Sequence, residues 1–290
     1  MQLHSIETGN FKLDGGAMFG VVPKSIWNKL NPADENNLCT WALRCMLIIE
    51  GDRKILIDTG MGIKQDAKFF SHYHPSNTIT LKDALSKLNV SCNDITDVLL
   101  THLHFDHVGG SIEQKDNLLV TVFPNATYWI SEPQWNLAMN PNKREKASFL
   151  KENILPIKES GQLKLISIPA YQSNDSLQEI HFSEHISCLV VNGHTEGMLL
   201  PKIEYHNHTI VFMADLLPSI GHIPIPYVMG YDMQPLLTLN EKELFLNEAL
   251  QKNYTLFFEH DAVNECCNLQ LTEKGVRAKD SFTLSSLLTH

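Results

Sequence analysis

Three histidines and an aspartate, His102, His104, Asp106 and His107, fall within six consecutive positions directly behind the apolar run Val98-Leu99-Leu100. Neutral imidazole and carboxylate are ligands that suit zinc, iron and manganese. If the strand expected over 97–101 continues to residue 104, His102 and His104 point to one face, because alternate strand residues do. A turn after it swings Asp106 and His107 back toward the same point. One short segment then supplies most of two adjacent coordination spheres. A merely polar loop has no need of four ligand-type residues at a strand end.

The elements that must position these residues are strand-like apolar runs at 41–50, 54–58, 97–101, 118–123, 163–168, 186–191, 198–203, 209–214 and 255–258. Gly51-Asp52 and Asn207 read as hairpin turns. Amphipathic spacing predicts helices over 81–88 and 241–252, the second preceded by a capping box Thr238-x-x-Glu241, with weaker candidates at 133–139 and 144–151. Strands flanked by helices imply a layered α/β or α+β fold. Three more runs end on a ligand-type residue: 186–191 leads to His194, 209–214 to Asp215, and 255–258 to His260. In layered folds, strand ends along one edge gather ligands and catalytic groups. Singly, His194 or His260 reads as an ordinary satisfied histidine; beside residues 102 to 107 the metal reading prevails. Five imidazoles and two carboxylates suffice for two ions sharing one bridge, and Asp215 is the natural bridge because a carboxylate has two oxygens. Such a centre lowers the pKa of bound water toward about 7 and clamps attacking and leaving oxygens.

Composition sets the outer limits. The 290 residues are enough for one large domain or two small ones, with ample length to bury a core. A formal net charge of -10 argues against nucleic acid or an anionic membrane as partner. The short run Lys143-Arg144-Glu145-Lys146 reads as a solvated helix face. No signal peptide or membrane-spanning run is evident, and six scattered cysteines without a Cys-x-x-Cys pair read as reduced thiols, so the expected location is cytoplasmic. The vicinal pair Cys266-Cys267 reads as core filler. Fourteen histidines are the one compositional hint of metal chemistry.

These residues resemble the metallo-β-lactamase superfamily. The likeness rests on Leu56-Ile57-Asp58-Thr59-Gly60, the His-x-His-x-Asp-His segment, Gly193-His194-Thr195, Ala214-Asp215 and Glu259-His260, in that order along most of the chain. It implies an α+β fold, a four-layer αβ/βα sandwich of two mixed sheets with helices on the outer faces. Residues 1–290 would form a single domain of two similar halves, about 1–165 and 166–290. By position, His102, His104 and His194 would hold one divalent ion, Asp106, His107 and His260 a second, and Asp215 would bridge them. The metals expected are zinc, with manganese or iron as alternatives. Asp58 matches the aspartate that orients a ligand imidazole from behind. The chain looks most like the branch of quorum-quenching lactonases and organophosphate hydrolases. That likeness adds the long extension before Asp58, the wide gap from His107 to His194, and the segment Ile223-Pro224-Ile225-Pro226-Tyr227-Val228-Met229-Gly230-Tyr231-Asp232. Two departures stand out. Met198 replaces a histidine common in relatives, and Pro218 stands where the better-known acyl-homoserine lactonases carry a tyrosine, which leaves leaving-group assistance to His222, Tyr227 or Tyr231.

The activity expected is opening of a lactone or cleavage of an ester by a metal-bridging hydroxide, on a small-molecule substrate, with Asp106 and Asp215 as the carboxylates at the catalytic centre. Alternatives are a thioesterase resembling glyoxalase II, a phosphotriester hydrolase, and, in another reaction class, a mononuclear-iron persulfide dioxygenase using His102, His194 and Asp215. Only thirty residues follow His260, which disfavours the glyoxalase reading. A homodimer stays open. His72 and His74, His206 and His208, and His4, His181, His185 and His290 have no evident chemical partner. The loop 23–38, with Trp27 and Leu30, reads equally as a lid or as ordinary surface.

Overall fold

The computed structural model describes residues 1–169 and 176–288; His290 lies outside them. Two compact units divide the chain, the first formed by Met1–Phe11 and Leu43–Ile168, the second by Lys12–Ala42 and Pro169–His290. The early strands are β1 (Gln2–Asp14), β2 (Leu38–Glu50), β3 (Arg53–Ile57), β4 (Asp97–Leu99), β5 (Ile112–Lys115), β6 (Leu118–Thr121), β7 (Thr127–Ser131) and β8 (Leu163–Ile166). The later ones are β9 (Gln178–Ser183), β10 (Ile186–Val191), β11 (Met198–Tyr205), β12 (His208–Phe212), β13 (Thr255–Phe257), β14 (Cys266–Thr272) and β15 (Gly275–Phe282). The helices are α1 (Gly15–Phe19), α2 (Lys24–Trp27), α3 (Ala67–Tyr73), α4 (Leu81–Ser86), α5 (Phe105–Val108), α6 (Glu132–Met139), α7 (Lys151–Glu159), α8 (Pro235–Gln251) and α9 (Leu284–Leu287).

In the first unit the sheet order is β1-β2-β3-β4-β7-β8, with β5-β6 a separate hairpin. β2 and β3 pair antiparallel around Gly51-Asp52, where Gly51 sits at φ 59, a left-handed conformation that a glycine adopts without strain. β3, β4, β7 and β8 then run parallel. The runs of β3, β4 and β7 are largely buried, as expected of parallel strands, with Leu56, Val98, Leu100, Tyr128 and Ile130 in one core, whereas Lys164 and Leu165 of the edge strand β8 are exposed. In the register of the parallel pair, Ile57 faces Leu99. Asp58 and the 100–107 segment therefore leave the sheet at the same edge.

The second unit holds a seven-stranded sheet in the order β15-β14-β13-β12-β11-β10-β9. β12 and β13 are its parallel pair, connected by a segment that contains α8, as a parallel connection requires. Phe212 faces Phe257 in that pair. Asp215 and His260 each lie three residues further on, so the register itself sends both past the same edge. The turn at His206-Asn207 closes the expected hairpin between β11 and β12.

Several expectations need correction. The strand before the histidines ends at Leu99, so His102 and His104 are not brought together by strand alternation; His104 instead precedes α5 as its N-cap. α8 begins at Pro235, with Gln234 as its cap, and Thr238 lies inside the helix with its hydroxyl on the Gln234 carbonyl. The proline at the first helical position is the signal that marks this start. Residues 144–150 are not a helix; α7 starts at Lys151 and carries Pro156 within it. Glu145 is buried, 2% exposed, so the solvated-face reading holds only for the exposed Lys143, Arg144 and Lys146 around it. The β14-β15 hairpin, beyond His260, has no counterpart in the apolar runs read above. All six cysteines are free, with Cys266 and Cys267 buried.

Candidate metal centre

In the first unit three imidazoles are fixed from behind. Asp58, fully buried and itself at φ 54, accepts from the Thr101 amide at 2.7 Å and the Thr101 hydroxyl at 2.6 Å, and faces His107 Nδ1 at 3.0 Å. His107 therefore carries its proton on Nδ1 and presents the Nε2 lone pair inward, where Asp106 Oδ2 lies 3.9 Å away. The Thr101 proton is spent on Asp58, so its oxygen accepts from His102 Nδ1 at 3.0 Å. That turns the lone pair of His102 Nε2 toward His104 Nδ1, 3.1 Å off. The other nitrogen of His104, Nε2, lies 3.7 Å from the buried Glu145 carboxylate, which favours the proton on that side. Two lone pairs then face each other across the His102–His104 gap. The loop carrying Asp58 is locked to the end of α5 by Thr59, whose amide and hydroxyl both donate to His107 O, at 2.8 and 2.9 Å. A Cβ on Gly109 would lie 2.1 Å from Met61 O, which is why this position has no side chain.

The second unit repeats the pattern around one carboxylate. Asp215 Oδ2 is 3.0 Å from His194 Nε2, and its Oδ1 is 3.1 Å from His260 Nε2. Behind them, His194 Nδ1 meets Asp232 Oδ1 at 2.9 Å, and His260 Nδ1 donates to Ala42 O at 2.8 Å. A carbonyl can only accept, so the His260 proton is on Nδ1 and its Nε2 lone pair faces a carboxylate oxygen. Two acceptors 3.1 Å apart call for a cation between them. His194 shows the same demand: burial works against its charge, yet Asp215 and Asp232 push its pKa up to about 10. Imidazole and carboxylate donors, buried and held from behind in this way, fit a divalent transition metal.

His222 and Tyr227 lie in an aromatic cluster of the second unit. His222 Nε2 donates to Met18 O at 2.9 Å, so its Nδ1 accepts from the Ser219 hydroxyl at 2.9 Å. Its ring stacks on Phe19 at 4.4 Å, and burial brings its pKa down to about 3. Both nitrogens are thus occupied by the scaffold. Trp27 is buried and stacks on Phe19 at 5.5 Å, while Leu30 is exposed. Tyr227 meets Phe19 edge-on at 6.5 Å, and Tyr231 is exposed.

Sequence reasoning gave no role at the site to Thr101, Glu145, Asp232 or Glu241. Asp232 closes the quoted segment 223–232 and Thr101 the run 97–101, and a carboxylate or hydroxyl at those ends is the only available signal. Glu241 accepts from the amides of Asn192 and Gly193 at 2.7 and 2.9 Å, and so holds the turn that delivers His194.

The model of the metallo-β-lactamase superfamily matches residues 44–260, and the chain belongs to that superfamily of metal-dependent hydrolases. Among solved structures, a probable metal-dependent hydrolase from Staphylococcus aureus is 28% identical with a TM-score of 0.86, covering 97% of this chain and 96% of that one. AidC, a dizinc quorum-quenching lactonase solved with its product N-hexanoyl-L-homoserine, is 22% identical with a TM-score of 0.76, over 97% and 95%. The hydrolase AbOPH is 20% identical with the same TM-score of 0.76, over 97% and 94%. The fold is that of the metallo-β-lactamases, with its two large mixed sheets. No described helix is long and apolar enough to cross a membrane.

Proposed function

We propose that this protein is a dinuclear metallohydrolase that opens lactones or cleaves esters of a neutral small molecule. The observation that carries this is Asp215, which turns one carboxylate oxygen toward each of two imidazole Nε2 atoms. A carboxylate that bridges two ions presents one oxygen toward each ligand set in this way. By the superfamily's ligand order, His102, His104 and His194 would hold one ion, Asp106, His107 and His260 the other, and Asp215 would bridge them. Such ions, zinc or alternatively manganese or iron, supply a water acidified toward about pH 7 and Lewis-acid polarisation of a carbonyl.

The chain's own residues orient and exclude. Asp58, Thr101 and Asp232 fix imidazole tautomers so that lone pairs point inward. Beside Asp106, the half-buried rings of Phe69 and Tyr73 pack on Phe105 at 5.3 and 4.6 Å, an aromatic surface that suits an apolar acyl group better than an ionic one. Burial and the Asp106 charge raise the Tyr73 pKa, so its hydroxyl keeps its proton and can donate to a substrate oxygen. No step falls to His222.

Metal-replete protein should contain two ions per chain and open lactone rings or cleave simple esters, read by proton release. One iron per chain with oxygen uptake would instead indicate a dioxygenase, and inactivity on every lactone and ester would sink the proposal.

A further inference from the structure

The segment between Asp215 and Asp232 begins at the proposed bridging carboxylate and ends at the carboxylate behind His194. Its first part is buried and tied down, with the Ile220 amide on the carboxylate of Asp261, next to His260, at 3.0 Å. Its last part is held by the Gly230 amide on Ala17 O at 2.8 Å. Between these anchors, residues 224–228 come to the surface in part, and Tyr227 is half-buried. Prolines at 224 and 226 have no amide hydrogen, so this stretch cannot be held by a backbone ladder. Within it the Tyr227 amide donates to Pro224 O at 2.9 Å and the Val228 amide to Pro226 O at 3.1 Å, which leaves the Ile225 and Tyr227 carbonyls to be met by a donor from elsewhere.

Lys242 on α8 supplies it. The residue is fully buried, and its Nζ donates to Pro224 O at 3.0 Å, Ile225 O at 3.2 Å and Tyr227 O at 2.8 Å. An ammonium has three N–H groups, and all three are used on one turn of chain. An exposed lysine is common, whereas a fully buried one is rare unless it is paired. A hydrophobic side chain would fill the same space at lower desolvation cost, so packing alone does not account for a lysine here.

We propose that Lys242 is a specificity-determining positioning residue, which fixes the 224–227 turn and through it the Tyr227 ring that borders the substrate. The proposal rests on the hydrolase reading above. Tyr227 meets Phe19 edge-on, Phe19 stacks on His222, and His222 sits on the anchored part of the segment that starts at Asp215. On this proposal the cluster borders the substrate, so displacement of the turn moves the Tyr227 ring and changes the shape of those surroundings. Neighbouring Glu241 holds the His194 turn by a separate pair of bonds, so the effects of the two residues are separable.

The test uses metal-replete holoenzyme and a series of esters with acyl groups from acetyl to bulky. Lys242→Met should raise KM for the bulky members by about tenfold relative to acetyl, with kcat little changed, the scale of one unsatisfied buried polar group. Tyr227→Ala should shift the substrate ranking alone, and adding Lys242→Met to it should shift the ranking no further. If Lys242→Met does not fold, Lys242→Arg tests the same point. A planar guanidinium keeps the charge but cannot match three carbonyls converging on a point, so the ranking should still change. Equal losses on every ester, additive shifts in the double variant, or a wild-type ranking in Lys242→Arg would overturn the proposal. A wild-type protein inactive on all esters and lactones overturns the hydrolase reading, and this one with it.

Discussion

At the scale of the residue, catalytic competence depends on which imidazole nitrogen carries the proton. Asp58 sets this for His107 directly and for His102 through Thr101. Asp58→Ala should lower metal affinity by roughly 10- to 100-fold, as loss of such outer partners does, measured by chelator competition. An unchanged affinity would mean the imidazoles are held by packing alone. His222 makes a separate prediction. Its native pKa of about 3 lies below the ordinary 6.5, so the unfolded chain binds the proton that the native state refuses. Stability is therefore complete above pH 6.5 and falls as the pH drops toward 3, by about 1.4 kcal/mol for each pH unit in that window. His222→Gln, which keeps a donor for the Met18 carbonyl, should flatten that acid limb in urea unfolding at several pH values. The metal-ligand candidates were legible in the sequence because ligand types cluster densely or follow apolar runs. Glu145 and Asp232 were not, since a lone acid looks the same solvated or buried until the fold sets it beside a particular imidazole.

At the scale of the element, α8 gathers functions that its pattern conceals. The spacing Thr238-x-x-Glu241 has the form of a cap, yet Glu241 serves another loop, and the helix starts at the preceding proline. Capping boxes are recognised by local spacing, whereas the acceptor of a long-range bond is set by topology, here the return of the chain from β12 to β13. Glu241→Gln keeps the shape but turns an amide N–H toward one of two backbone N–H donors. Metal-free protein with this change should be less stable by about 1–3 kcal/mol in urea unfolding, with weaker metal binding at His194. Equal stability would show the turn to be held by its other bonds, such as the Gln234 amide on Gly193 O at 2.8 Å and the Gly197 amide on Asn192 Oδ1 at 2.9 Å. The parallel pairs β3–β4 and β12–β13 were legible as apolar runs, whereas β7, which pairs with β4 and β8, was not among them. The register of the pairs was not legible, although it is the register that sets Asp215 and His260 level with each other.

At the scale of the whole molecule, buried imidazoles and carboxylates facing one another without a cation weaken the native state. A metal that binds only that state stabilises it by about 4 kcal/mol per site at a thousandfold excess over Kd. For a chain of this size, stripping the metal should lower Tm by roughly 10 °C, at a few degrees for each kcal/mol, in a scan with and without chelator. An identical Tm would count against occupied sites. The division of the chain bears on its birth as well. Residues 12–42 carry Phe19, Trp27 and Trp41, all buried in the finished protein, but they belong to the same unit as residues 169–290. On the ribosome they emerge ahead of residues 169–290, and at about 5–20 residues per second they wait on the order of ten seconds for the rest of their unit. Through that interval three large aromatic side chains are left without their final neighbours. The nascent chain is therefore exposed to aggregation, and open to a chaperone, while residues 12–42 stand idle.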